Sequence, residues 1–113
     1  MNLLNGIDKT KCDIRITNLD PDEFGKDRMH INSVTALTKG GGKYGISIVC
    51  NNADKFGIIL SLNAIPYYTK LYDNLIAEND LVQWYSRFGF KRINSNNGVF
   101  AYMSNLMVRY AVI

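Results

Sequence analysis

The stretch MHINSVTALTKGGGKYGISIVCNNADKFGIILSLNA, Met29–Ala64, decides the fold, because its hydrophobic period changes twice. Met29–Leu37 is rich in β-branched residues and reads as a strand. It runs into the triple glycine Gly40-Gly41-Gly42. Beyond the glycines, Ile46, Val49, Cys50, Ala53 and Phe56 recur at steps of three and four, one face of an amphipathic helix. Lys55 falls in its last turn and Gly57 just past it, where a basic residue and a C-cap belong. Ile58–Ala64 is then a nearly continuous apolar run. That suits a strand covered on both faces, as in a parallel pair joined by the preceding helix. Strand, glycine turn, helix and strand make a βαβ unit.

Outward from this unit the punctuation is clear. Cys12–Thr17 alternates apolar and polar residues like a half-buried strand, and Asn18–Asp27 is acidic and broken by Pro21 and Gly25. On the other side, Ile65–Asn79 contains Pro66 and reads as loop with one helical turn near Leu71–Ile76. Asp80 and Gln83 have the spacing of a capping box, and Leu81, Trp84, Tyr85 and Phe88 form the stripe of a second helix. Gly89 stops it and Phe90–Ile93 begins a strand. Ser95-Asn96-Asn97-Gly98 is a turn between that strand and two more, Val99–Met103 and Leu106–Val112. The expected fold is α/β (α+β): one domain over residues 1–113, with a mixed twisted sheet, one parallel strand pair and two main helices.

The 113 residues suit a single core, and 47% hydrophobic against 20% charged residues is a globular balance, not a disordered one. The net charge of +3 is spread without a basic block, which argues against nucleic acid as a partner. No apolar run is long enough to span a membrane and no signal-peptide pattern opens the chain, so a cytoplasmic protein is expected. Cys12 and Cys50 lack metal-like neighbours, and a single His, His30, with no C-x-x-C pair argues against a metal site. Both read as reduced thiols, Cys50 as a buried structural one on an apolar helix face.

A strand feeding a glycine-rich turn that opens a helix is a phosphate-binding arrangement. The backbone bends tightly, several N–H groups converge, and the helix N-terminus adds roughly half a positive charge. Lys39 and Lys43 flank the turn. The P-loop is excluded because Tyr44 follows Lys43 where a Ser or Thr hydroxyl is needed for Mg²⁺. Gly40, Gly42 and Gly45 match a dinucleotide fingerprint, but Asn63, about twenty residues on, is not the acid that binds a ribose.

Taken together, three motifs resemble the GNAT acetyltransferase superfamily. They are Lys39-Gly40-Gly41-Gly42-Lys43-Tyr44, then Leu62-Asn63-Ala64, then Trp84-Tyr85-Ser86-Arg87-Phe88-Gly89-Phe90. They stand in the order and spacing of that family's R/Q-x-x-G-x-G/A turn, L-x-A strand and [FL]-Y-x-x-x-G-F helix end, from about Met29 to Ile93. Small phage-encoded members look most similar, and in a phage the place of action would be the host cytosol. The turn aligns in two ways: with Lys39 in the R/Q place and Tyr44 where Gly or Ala is usual, or with Gly40 and Gly42 as the motif glycines. About 28 residues replace the longer N-terminal region of the family. The acceptor site is therefore expected to be open, built by a second subunit as in a homodimer, or completed by the target itself.

The resemblance implies acetyl-CoA as co-substrate, lying between Met29–Leu37 and Ile58–Ala64, with a primary amine as acceptor, such as a lysine on a host protein. Val34, Thr35 and Ala36 would pair with the pantetheine arm. Leu37, Thr38 and Lys39 would lead into a pyrophosphate cradle of Gly40, Gly41, Gly42, Lys43, Tyr44 and Gly45. Tyr85 would protonate the departing thiolate; its place on the apolar stripe equally suits a core tyrosine. His30 falls near the family's catalytic strand glutamate and would act as base, against a structural histidine or a water held by Ser33. Tyr67, Tyr68 and Tyr72 would wall the acceptor site or pack on the core, and Asp22, Glu23 and Glu78 are candidates to attract a cationic amine. The alternative to an enzyme is a degenerate module of the same fold that binds a partner protein.

Overall fold

The computed structural model describes residues 2–64, 78–93 and 106–112, with the side chains of 78–80 set aside. Seven elements follow in order: β1 Cys12–Leu19, β2 Arg28–Ala36, α1 Gly41–Phe56, β3 Ile59–Asn63, α2 Glu78–Ser86, β4 Lys91–Arg92 and β5 Leu106–Arg109. They build one five-stranded sheet in the order β1-β2-β3-β5-β4. Among the described residues only β2 and β3 run parallel, joined by α1, since a parallel pair needs a long crossover. The expected helical turn at Leu71–Ile76, the turn Ser95–Gly98, the strand Val99–Met103 and Tyr67, Tyr68 and Tyr72 lie outside the described residues.

The apolar face of α1 is buried through Ile46, Val49, Cys50 and Ala53, as its period predicts. Phe56, expected on that face, is instead 46% exposed in the last turn. Gly57 takes a left-handed conformation beyond it, its own N–H bonding Asp54 O and that of Ile58 bonding Ala53 O. At the other end α1 begins earlier than the glycine-turn reading implies: Gly41 and Gly42 are inside the helix, and only Gly40, at φ 77°, is the left-handed N-cap.

Gly41 and Gly45 are small because β1 crosses directly beneath them. A Cβ at Gly41 would lie 2.0 Å from the Lys11 carbonyl oxygen, and one at Gly45 would lie 2.5 Å from Cys12 Sγ. α2 starts at Glu78, two positions before the Asp80 expected to cap it. It is shut off by Gly89 at φ 94°, and Phe90 then turns fully into the core. β4 is only Lys91–Arg92, shorter than Phe90–Ile93, while Ile93 still donates its N–H to Leu106 O. β5 likewise ends at Arg109, leaving Tyr110 and Val112 exposed.

Two irregularities shape the centre. Arg15 faces Ser33 while Ile16 faces Ile31, so β2 carries a bulge at Asn32, whose side-chain amide donates to Thr17 Oγ1. The parallel ladder then stops: Arg28 to Ile31 pair with Ile59 to Leu62, but Asn32 to Ala36 have no β3 residue beside them. Among the described residues the parallel pair is open like a V beyond this point, since no further β2–β3 partners follow.

Candidate active site

The V lies between β2 and β3. From Ser33 to Ala36, β2 is paired with β1 on one side, while the edge facing β3 has no ladder among the described residues. An extended, amide-bearing ligand can complete such an edge as an added strand would. Val34 packs partly into the core, and Thr35, Ala36 and Leu37 are half-buried. The Leu37 N–H already donates to Lys11 O at 2.9 Å.

The open edge leads into the N-terminus of α1. Thr38 O accepts the Gly41 N–H at 3.0 Å, and Gly40 O accepts that of Tyr44 at 3.1 Å. Between them the Gly42 and Lys43 amides belong to the first turn, where a helix has no acceptor of its own, and no side chain caps it. The first turn holds no acidic residue, and Lys39 and Lys43 are exposed beside it. First-turn amides without a side-chain cap, with two lysines beside them, are an arrangement that can receive an anion.

Gly42 stands in this first turn between Ala36 at the end of β2 and Trp84. Unlike its neighbours, it is not glycine for packing: a methyl group there would meet the Trp84 ring at 3.7 Å and Ala36 Cβ at 4.0 Å, ordinary contact. Nor is its φ positive. A helix would prefer alanine here by about 1 kcal/mol. Among the described residues, neither packing nor backbone conformation requires glycine here.

Not all predicted cradle residues face this site. The Tyr44 hydroxyl accepts the Asp8 N–H at 2.8 Å and donates to Gly6 O, with Lys11 Nζ over the ring. Tyr44 therefore straps the N-terminal segment to α1, and its own amide is spent inside the helix. Gly41 and Gly45 are buried against β1 and serve its close approach.

Tyr85 reaches the same region from α2. It is 8% exposed, edge-on to Trp84 at 5.0 Å and to Phe90 at 5.8 Å, and Trp84 is the residue that faces Gly42. The aromatic packing that makes Tyr85 a core residue holds its ring against Trp84. His30 lies on the closed part of the V, also buried, with Nδ1 2.8 Å from Ser61 Oγ on β3. Burial holds its imidazole below the ordinary value of 6.5.

The two thiols offer no nucleophile: both are buried, and burial pushes Cys50 up to about 11 and raises Cys12. Asp22 and Glu23 sit at the tip of the β1–β2 hairpin, beyond the closed end of the V, with Asp22 Oδ1 held by the Phe24 and Lys26 amides. They do not reach the opening. Sequence reasoning gave Ser61, Asn63 and Trp84 no role in the site: Trp84 was read as part of the helix stripe and motif, and Asn63 as part of Leu62-Asn63-Ala64 and as an absent ribose ligand.

No protein-family model matches the sequence, and no curated protein matches it. Among solved structures, the crystal structure of the anti-CRISPR protein AcrVA5 is similar with a TM-score of 0.54 and 22% identity, over 84% of this chain and 96% of that one. Arabidopsis thaliana Naa50 in complex with the bisubstrate analogue CoA-Ac-MVNAL gives 0.49 and 18% identity, over 85% of this chain and 62% of the Naa50 chain. AcrVA5 has the GNAT fold, and this chain shares it in a minimal form: a five-stranded mixed sheet with one parallel pair and two helices.

Proposed function

We propose that the chain is an acetyl-CoA-dependent N-acetyltransferase that transfers the acetyl group to a primary amine by direct attack. The observation that carries this reading is the end of β2, without a β3 partner among the described residues, running into Gly42 and the first turn of α1, which no side chain caps. The edge suits the two amides of a pantetheine arm, and the amides of Gly42 and Lys43, with Lys39 and Lys43, suit a pyrophosphate. Acetyl-CoA supplies the activated thioester carbonyl. Around it, His30 accepts the proton that the amine sheds as its nitrogen bonds to the carbonyl carbon. Tyr85 donates the phenolic proton to the sulfur as the C–S bond breaks. Both protons are accounted for, and no acyl-enzyme is required. The substrate class is a primary amine such as a lysine side chain on a protein.

Calorimetric titration with acetyl-CoA tests the reading directly. Micromolar binding is expected, weakened about tenfold or more by the pair Lys39→Glu and Lys43→Glu, with a salt dependence that the wild type shows and the pair loses. Gly41 is a poor probe because any side chain there strikes Lys11 O. Gly42→Ala is better: it should raise the melting temperature slightly through helix propensity while weakening acetyl-CoA roughly tenfold. A stabilised variant that binds as well as the wild type would remove Gly42 from the site. No binding by the wild type would sink the enzyme and favour a partner-binding module.

The base has a pH signature. A buried imidazole with its pKa held below 6.5 is neutral, and able to accept a proton, over the whole range above 6.5. The acid limb of kcat/KM should therefore fall below pH 6.5, and His30→Gln should lower the rate and erase that limb. The same group favours the folded state above its unfolded pKa, and that contribution is lost as pH falls through the lower folded value. A melting curve in the same buffers separates the two effects.

A further inference from the structure

Side chains alternate along β3, and its register with the neighbouring strands tells which face each takes. Leu60 stands opposite Arg109, and Arg109 reaches Asp54 of α1, so Leu60 and Leu62 lie on the face that carries the helix. Ser61 and Asn63 lie on the other face, where Ser61 Oγ meets His30 Nδ1. The thin sheet therefore has two sides at the V. Gly42, Trp84 and the first turn of α1 are on one; His30, Ser61 and Asn63 are on the other.

Asn63 stands one residue beyond Leu62, the last β3 residue in the parallel ladder, so it is at the mouth of the V. Its Oδ1 is buried and has no hydrogen-bond partner, the one such side-chain atom among the described residues. An amide oxygen withdrawn from water without a donor is costly, and such atoms are rare in folded proteins. A donor brought by a ligand would remove that cost.

We propose that Asn63 Oδ1 receives one N–H of the acceptor amine, which makes Asn63 an amine-binding residue; this rests on the acetyltransferase reading above. A primary amine has two N–H groups and one lone pair. With one N–H held by Asn63 and the other turned toward His30, the lone pair is aimed at the carbonyl carbon from the face opposite the helix. The amine nitrogen bonds to that carbon, one of its protons passes to His30, and the sulfur leaves with the proton from Tyr85. The remaining N–H stays on the product amide, still bonded to Asn63. Asn63 takes no proton. A secondary amine has one N–H only and loses either its orientation or its route to the base, so the site selects primary amines.

The test uses stable thioether ligands, so it does not depend on knowing the natural acceptor. One is S-carboxymethyl-CoA butylamide, whose secondary amide N–H imitates that of the product; the other is its N-methyl analogue, which has no N–H. Each is titrated into the wild type, Asn63→Leu and Asn63→Asp, with acetyl-CoA as control. The wild type should prefer the N–H ligand about tenfold. Asn63→Leu should bind both ligands equally, keep the acetyl-CoA affinity, and melt no lower than wild type, because no bond is lost. Asn63→Asp keeps an acceptor oxygen and should keep the preference, which leaves the comparison readable if the leucine variant folds poorly. Equal binding of both ligands by the wild type overturns the proposal, as does a preference that survives in Asn63→Leu. A wild type that fails to bind acetyl-CoA removes the enzyme itself, and the control shows that failure separately.

Discussion

Tyr85→Phe should lower kcat at least a hundredfold while leaving acetyl-CoA affinity and melting temperature nearly unchanged. The substitution deletes one oxygen and keeps the ring that packs edge-on to Trp84 and Phe90. What is lost is the proton donor for a leaving thiolate, and a positioned general acid contributes typically about 10²–10⁴-fold. A phenol suits this work because it is neutral near pH 7 and is asked for its proton only as charge builds on sulfur. Burial keeps water from competing for that position. Three readouts separate catalysis from packing. If Tyr85 were core alone, Phe would cost little in rate; if it held the cofactor, the acetyl-CoA dissociation constant would rise with the loss of rate. Only a fall in kcat at constant affinity and stability supports the acid. Leaving groups provide a further check: a thioester with a less basic thiol should suffer less from Tyr85→Phe, since it needs the proton less.

Much of this arrangement was legible in the chain. The change from period two to period three or four across Gly40 gave α1 and the parallel pair, because burial of one helix face and two sheet faces leaves its mark on every residue. The splay was not legible. The described ladder ends beside the bulge at Asn32, and a bulge is one extra residue whose polar side chain looks like any strand position. The roles of the glycines were also mixed in the sequence. Gly40, Gly41, Gly42 and Gly45 read alike, yet one is a left-handed cap, two make room for β1, and one alone opens toward the V. Tyr44 looked like an odd member of a phosphate turn because its partner, the Gly6–Asp8 backbone, is distant in sequence. Ser61 and Asn63 were hidden for the opposite reason: a polar residue inside a run as apolar as Ile58–Ala64 is itself the signal, but without the register it has no address.

Asp54→Ala should cost about 3 kcal/mol, a large share of the stability of a domain this size. Arg109 on β5 is almost wholly withdrawn from water, its side chain 7% exposed. It donates from both terminal nitrogens to the two Asp54 oxygens at 2.8 Å, and from Nε to Phe88 O at 2.6 Å. Asp54 Oδ1 also accepts the Val112 N–H at 2.8 Å. One ion pair thus ties the end of α1, the end of α2, β5 and the tail. Without the carboxylate a guanidinium is left buried and unpaired, which is the costly half of breaking such a pair; Asp54 itself, 25% exposed, loses less. Asp54→Leu with Arg109→Met should recover most of the loss, since two apolar residues leave no charge behind. The hydrogen bonds from Arg109 come first among the causes that hold the Asp54 carboxyl below its ordinary 3.8, so its contribution is present above that pH and drains away as pH falls through the lower folded value. Urea unfolding at pH 7 and at pH 3 measures both claims. Activity should follow in a particular way: Phe88 O and Gly89 close the helix that carries Tyr85, so Asp54→Ala should lose turnover at 37 °C before it loses its fold, and regain it on cooling. A variant that unfolds only at the wild-type temperature would show that the pair contributes no more than a surface bridge.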